Sequence, residues 1–475
     1  MVQITLRLMA GLFLACGMLA CALPQTMQHP YDLACSRPPE TVDGWRTAEL
    51  AEAGLDPDTI NRLLHDIHSK TIKNVYAVIV ARNGKLLVDE YFNGASRNDI
   101  GLIASTTKSL TSILVGIALK EQTGEKTVAT PLPRFFPRYA EKLHNQGKEA
   151  ITLGHVLTMT AGLDWDELTH SHPDERNPNT QMYAVADPVG FILARNMLYP
   201  PGTVWNYSSG LSVLLGEVVR NLSGEPVDLF AAERLFGPLD FTRFQWQKHA
   251  NGTVWSNGDL YVRPRDLAKV GQLVLDHGRW QGEQIVSADW IRESTRAHVQ
   301  AHNGLKYGYQ WWIGSARYAD RKLEVIFGSG TGGQKLFIIP ELDMVVAVLS
   351  KVFNNKGGHN RATRILTEYL LPAALEECEP PESPLDPAFA EAATGKYVNA
   401  AAGRAVRFKF SGSLLYAKPT IFSQIELKPY CRNSFYGYWE PIGNVYVDFV
   451  EDEAGQITGA DVHYLLGTFR FDKLK

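Results

Sequence analysis

The sequence predicts an α+β fold: an antiparallel sheet flanked by helices, with a helical insert, followed by a small C-terminal antiparallel β-domain. Three observations carry this. Apolar, strand-like runs occur within residues 75–92 and again within 307–349, with helical and loop patterns between them, so both ends of this region must feed one sheet beside an inserted helical unit. Glu379, Pro380, Pro381, Glu382, Ser383 and Pro384 form a linker by composition. Beyond it, residues such as Val406, Phe408 and Phe410, then Val445, Val447 and Phe449, alternate between glycine-bearing turns as short antiparallel strands do. A chain of 475 residues exceeds one ordinary domain. The expected division is a large domain over 36–378, a linker over 379–387 and the β-domain over 388–475.

The N-terminus reads as a signal peptide over residues 1–22. Arg7 gives a basic start, residues 8–19 an apolar core, and Ala20, Cys21 and Ala22 a small-residue cleavage site. The run is too short for a membrane span, so an exported, periplasmic or extracellular protein is expected. Met18, Leu19, Ala20 and Cys21 also resemble a lipoprotein signal, and any membrane attachment would run through a lipidated Cys21. Cleavage after Ala22 leaves Cys35, Cys378 and Cys431. In an oxidising compartment one pair is expected, with Cys35–Cys378 preferred because the two bracket the large domain.

Residues 55–72 carry Ile60, Leu63, Leu64 and Ile67 at helical spacing. Strands over 75–80 and 86–92 are joined around Asn83-Gly84, a hairpin signal. Residues 151–162 read as one helix closed by Gly162, 164–181 as a polar loop, and 213–222, 266–277 and 288–295 as further helices. Strands are expected at 307–312, 323–327, 336–339 and 345–349, and a helix over 361–375 closes the unit. Net charge is −4, with 45% hydrophobic and 21% charged residues, a balance that argues against nucleic acid or an anionic membrane surface as the main partner.

Chemistry concentrates where the first hairpin hands the chain to a helix. Leu110, Ile113, Leu114 and Ile117 recur at helical spacing, and Val115, Ala118 and Leu119 fill much of the remaining circumference, so this helix is buried. Ser105 sits at its N-terminal edge, where a hydroxyl can cap the first turn. Lys108 follows three residues later on the same face. An ammonium group sheltered from water loses its proton more readily and becomes a base toward a neighbouring hydroxyl. Ser105 is the only serine in the chain with a lysine at that offset. Two more stretches stand out. Residues 201–210 are turn-rich, contain Tyr207 and lead into a helix. Gly328, Ser329, Gly330, Thr331, Gly332 and Gly333 lie between two apolar strands, where glycine lets backbone approach a ligand closely. His170, His172 and Asp174 match an H-x-H-x-D pattern, but it lies in a Pro/Asn loop with no partner cluster, and no metal or other cofactor is expected.

Together these stretches resemble the serine hydrolases of the penicillin-binding protein and class C β-lactamase superfamily, which carry S-x-x-K, Y-x-N and K-T-G or H-x-G. The likeness covers residues 42–376 and includes Ile151 through Leu163 and Arg263 through Gly271. It resembles most the esterase and 6-aminohexanoate-dimer hydrolase-like branch. The resemblance implies a β-lactamase/transpeptidase-like fold, Ser105 as nucleophile, Lys108 as its base and Tyr207 as proton relay to the leaving group. It further implies that Gly328, Ser329 and Gly330 stand in place of K-T-G, so the Thr331 N–H would join that of Ser105 around the oxyanion. Ser209 replaces the asparagine of Y-x-N, and Gly328 replaces the lysine or histidine of the third motif. Both departures favour a carboxylic ester or a small or linear amide as the small-molecule substrate. The alternative is a β-lactamase or a penicillin-binding sensor on the same fold.

Overall fold

A computed structural model of the chain describes residues 35–474 except 123, 171–172, 352–359, 378–385, 412–413, 420–423, 431–433 and 440–441. The expected signal peptide, Cys21, Cys378, Cys431 and most of the linker lie outside the described residues. The strands from the two ends of the large domain meet in one nine-stranded sheet. Its order is Arg46–Thr47, Lys85–Tyr91, Val75–Arg82, Met344–Ser350, Gln334–Ile339, Arg321–Gly330, Trp312–Tyr318, Lys306–Tyr307, Val299–Gln300. All neighbours are antiparallel except the two-residue Arg46–Thr47 strand, which pairs parallel. The fold is the mixed α+β plan expected. Asn83 and Gly84 take φ of 53° and 68°, the left-handed pair that a tight hairpin between right-twisted strands demands.

The central strands are apolar on both faces because both are covered. Ala77, Ile79, Leu336, Ile338, Val345 and Ala347 face one core, with the helices Thr107–Glu121, Ser209–Ser223 and Pro264–Leu275. Val78, Val80, Phe337, Ile339, Val346 and Val348 face the other, with Pro57–His68 and the helical stretch that begins at Arg361. Each fully buried Leu, Ile or Phe contributes about 1.5–3 kcal/mol of transfer free energy, so a two-faced sheet holds its register strongly.

Two expectations fail in instructive ways. Residues 151–162 do not form one helix: only Leu153–Leu157 is helical, started by a Thr152–His155 capping box. The Thr158 hydroxyl then donates back to the Gly154 carbonyl, and Met159 turns to φ 60°. The expected strand at 307–312 is broken after Tyr307, with Gln310 at φ 63° and buried. Its side chain donates to the Leu157 carbonyl and accepts from Ser212, while its own carbonyl accepts from Ser109. Polar ties between helix and sheet won over local strand propensity at both places.

The C-terminal β-domain is a closed barrel of eight described strands, Gly395–Asn399 through Gly467–Lys473, preceded by the helix Pro387–Ala393, which starts where the linker was expected to end. Closure pairs the first strand with the last and removes both sheet edges. The barrel docks beside the Trp312–Tyr318 strand: Ser315 N–H donates to Leu466 O at 2.8 Å, and the Arg317 guanidinium reaches Asp448 and Ser434.

Candidate active site

The chain reaches Ser105 from the short strand Gly101–Leu102, through Ala104 at φ 46°. A left-handed alanine costs on the order of 1 kcal/mol. That cost reverses the chain direction and places residues 104–106 in a tight 3-10 turn just ahead of the central helix, Thr107–Glu121. Ser105 therefore does not cap the helix as its sequence position suggested; no side-chain cap bond is formed there. Its hydroxyl is turned instead toward Lys108, whose Nζ lies 2.9 Å from Ser105 Oγ.

Lys108 is 2% exposed. Its Nζ also donates to the Asn257 carbonyl at 2.7 Å and stands 5.1 Å from the centre of the Tyr207 ring. Asn257 is the functional neighbour that the sequence did not reveal. It sits in a Ser-Asn-Gly-Asp turn that looks like any other loop, yet it fixes the amine. Its side-chain amide donates to the Tyr183 hydroxyl, which in turn donates to Asp259 at 2.6 Å, and burial beside that carboxylate pushes the Tyr183 phenol well up. Tyr183 stacks on Trp255 at 4.1 Å, so the Asn257 turn is held from both sides.

Tyr207 is nearly buried, its ring stacked on Trp312 at 5.8 Å. Its backbone is anchored by the segment that failed to be a helix: Asn206 N–H donates to Met159 O at 2.8 Å, and the Asn206 side chain donates to Trp165 O. Ser208 then caps the Ser209–Ser223 helix through Leu211 N–H. Ser105, Lys108 and Tyr207 thus share one site.

Ser209 departs from its expected place at the substrate. Its N–H and hydroxyl donate to the two carboxylate oxygens of Glu167, both at 2.8 Å, and Trp165 Nε1 donates to the same group. Glu167 therefore neutralises the N-terminal end of that helix, and the Ser209 hydroxyl is spent on it. The expected polar loop thereby has a structural anchor.

Gly328, Ser329 and Gly330 end the strand Arg321–Gly330. The neighbouring strand pairs only as far as Phe327, so the backbone of 328–330 has no partner strand on that side. A Cβ on Gly330 would come within 2.4 Å of Ile103 O, and one on Gly328 within 2.7 Å of Thr106 Cγ2. Only glycine lets this strand lie against the Ser105 turn. Thr331 follows at once and is exposed. Ser329 projects to the opposite face, with Phe327, where it accepts a 2.7 Å hydrogen bond from Lys335 of the adjacent strand. Gly328 supplies no cation, but its strand partner does, one residue over. Burial pushes the Lys335 ammonium down to about 8. Among the described residues no cluster of His, Cys, Asp and Glu could hold a metal ion.

With this geometry in place, the likeness to known proteins is specific. The family described as beta-lactamase matches residues 70–370. A 6-aminohexanoate-dimer hydrolase of Paenarthrobacter ureafaciens is 24% identical over 295 residues, 58% of this chain and 72% of that protein. The esterase EstB of Burkholderia gladioli is 27% identical over 179 residues, 33% of this chain and 44% of that one. Among solved structures, an octameric penicillin-binding protein homologue from Pyrococcus abyssi matches with a TM-score of 0.51 at 18% identity, covering 88% of this chain and 99% of that one.

Proposed function

The chain belongs to the beta-lactamase family, and within it we propose an exported serine hydrolase that cleaves a carboxylic ester or a small or linear amide through an acyl-enzyme on Ser105. The observation that carries this reading is the 2.9 Å contact between Lys108 Nζ and Ser105 Oγ beside the Tyr207 ring. A hydroxyl is a weak nucleophile until a base is set against it. Lys108 Nζ takes the Ser105 proton as Oγ attacks the carbonyl carbon. The negative charge that develops on the carbonyl oxygen falls to the N–H groups of Ser105 and Thr331, each such donor being worth about 3–4 kcal/mol of barrier. Tyr207 hands its proton to the leaving alcohol or amine and is reprotonated by the proton that Lys108 took from Ser105, so both groups are restored. Water then attacks the acyl-enzyme and gives a proton to Lys108, which returns it to Ser105 Oγ as the acid is released.

The names of the relatives support the ester and linear-amide classes, and the Ser209 hydroxyl, held by Glu167, is not offered to a substrate of either class. The test is burst kinetics with p-nitrophenyl acetate on wild type and Ser105→Ala. Turnover by wild type that disappears in the variant is expected; a stoichiometric burst without turnover would assign a sensor instead, and turnover surviving in the variant would remove Ser105 from the mechanism. A panel adding a linear amide and a chromogenic cephalosporin separates the substrate classes. Fractionation of expressing cells, compared with a chain lacking residues 1–22, tests export.

A further inference from the structure

A cavity of about 540 Å³ lies between the barrel and the large domain, within the roughly 300–1,000 Å³ span of small-molecule sites. The barrel contributes core side chains, among them Phe408, Ala417, Val447 and Phe471, so the cavity continues into the barrel's interior. The large domain contributes Trp312, Phe327, Ser329 and Lys335. The walls are mostly apolar, and among the described residues the charged ones are of one sign: Lys335 and Arg404 line the space and no described Asp or Glu does. Lys335 is the telling group. It is buried, and of its three N–H donors one goes to Ser329 Oγ while the ring of Phe327 lies 4.9 Å away. A buried ammonium is costly unless an anion pairs with it. Arg404, nearer the solvent, is turned to the Tyr464 hydroxyl.

We propose that this cavity binds an aliphatic monocarboxylate, a long-chain fatty acid anion, with its carboxylate on Lys335 and Ser329 and its chain in the barrel lumen. The single buried cation on a mostly apolar wall selects a compact monovalent head; a phosphate or sulfate needs several converging donors, and Lys335 is the one buried cation lining this space among the described residues. Ser329 and Lys335 lie on the face of the Arg321–Gly330 strand opposite the Ser105 turn, whereas Trp312 lines the cavity and also stacks on Tyr207, so the two sites share a wall.

The experiment is equilibrium binding of hexadecanoate, hexadecanol and hexadecylamine to the full chain. Hexadecanoate is expected to bind at one site, and at least about tenfold more tightly than the alcohol or the amine, the worth of a charge-assisted hydrogen bond. Lys335→Met is expected to cost hexadecanoate at least about tenfold while leaving hexadecanol unchanged, and Ala417→Trp, which fills the lumen, to abolish binding of both. Ser105→Ala is expected to bind hexadecanoate as wild type does, so loss of turnover and loss of this site are read separately. Absence of hexadecanoate binding in wild type, equal affinity for acid and amine, or undiminished binding in folded Ala417→Trp would each overturn the proposal. The acid–amine comparison needs no variant, so it decides the matter even where a substitution disturbs folding.

Discussion

Lys108 shows how much one side chain is asked to do. It holds the Ser105 hydroxyl and the Asn257 carbonyl while lying beside the Tyr207 ring. Lys108→Met keeps the volume but removes the amine, and is expected to lower the rate of acylation by about 10²–10⁴-fold, the ordinary worth of a positioned base. It also leaves the Asn257 carbonyl without its donor, so a stability loss of about 1–3 kcal/mol should accompany it in denaturant melts. Tyr207→Phe separates the two effects: the ring keeps its stack on Trp312, so stability should change little while kcat/KM for an alkyl ester falls, and falls less for an activated p-nitrophenyl ester that needs no proton on its leaving group. Ser209→Ala makes the opposite claim. Its hydroxyl serves Glu167, and the expected result is a loss of about 1 kcal/mol in stability, with KM for small esters nearly unchanged. A large rise in KM would return Ser209 to the substrate site.

At the scale of elements, the strand–turn contact that assembles the site depends on the absence of a side chain. Gly330→Ala places a methyl group against the Ile103 carbonyl, which is backbone and cannot rotate aside. The strand must move, and since its end abuts the Ser105 turn, activity should drop more steeply than stability, whose loss should stay within about 1–3 kcal/mol. Crystal or melt data showing an unmoved strand with full turnover would contradict that coupling. The glycines of this stretch and the S-x-x-K spacing were readable from the residues alone, because each encodes a local backbone or helical-face requirement. The stretch 151–162 was misread for the same reason in reverse. Its composition suits a helix, but the Thr158 back-bond and the left-handed Met159 end the helix early, and the released segment gives Asn206 its anchor. That exchange is between residues distant in sequence, and no local pattern carries it.

Over the whole molecule, the barrel is fastened by a polar junction that titrates. Burial alone would raise Asp448, but hydrogen bonds from His463 and Ser434 and the charge of Arg317 outweigh it and hold the carboxyl at about 2. A carboxylate with a folded pKa below its ordinary value of about 3.9 stabilises the fold fully above that value, and the contribution vanishes as pH falls through the folded value. Wild type should therefore exceed Asp448→Asn in stability at pH 7 by about 1–3 kcal/mol, and the gap should close between about pH 4 and about pH 2. A gap that stays constant across that range would mean that the junction does not depend on the charge.

The sequence by itself determined the α+β plan with a C-terminal β-domain, the hairpin at Asn83-Gly84, and the three-residue spacing that makes Ser105 and Lys108 neighbours. These follow from periodicity, turn chemistry and covalent distance, all of them local. Only the tertiary structure decided that Asn257 would hold the amine, that Glu167 would claim Ser209, that Lys335 would stand across from Ser329 on the far face of the sheet, and that the β-domain would close into a barrel whose interior opens beside it. Those arrangements depend on strand register and on domain docking, where a buried hydrogen bond or charge takes whatever partner the packing brings within reach.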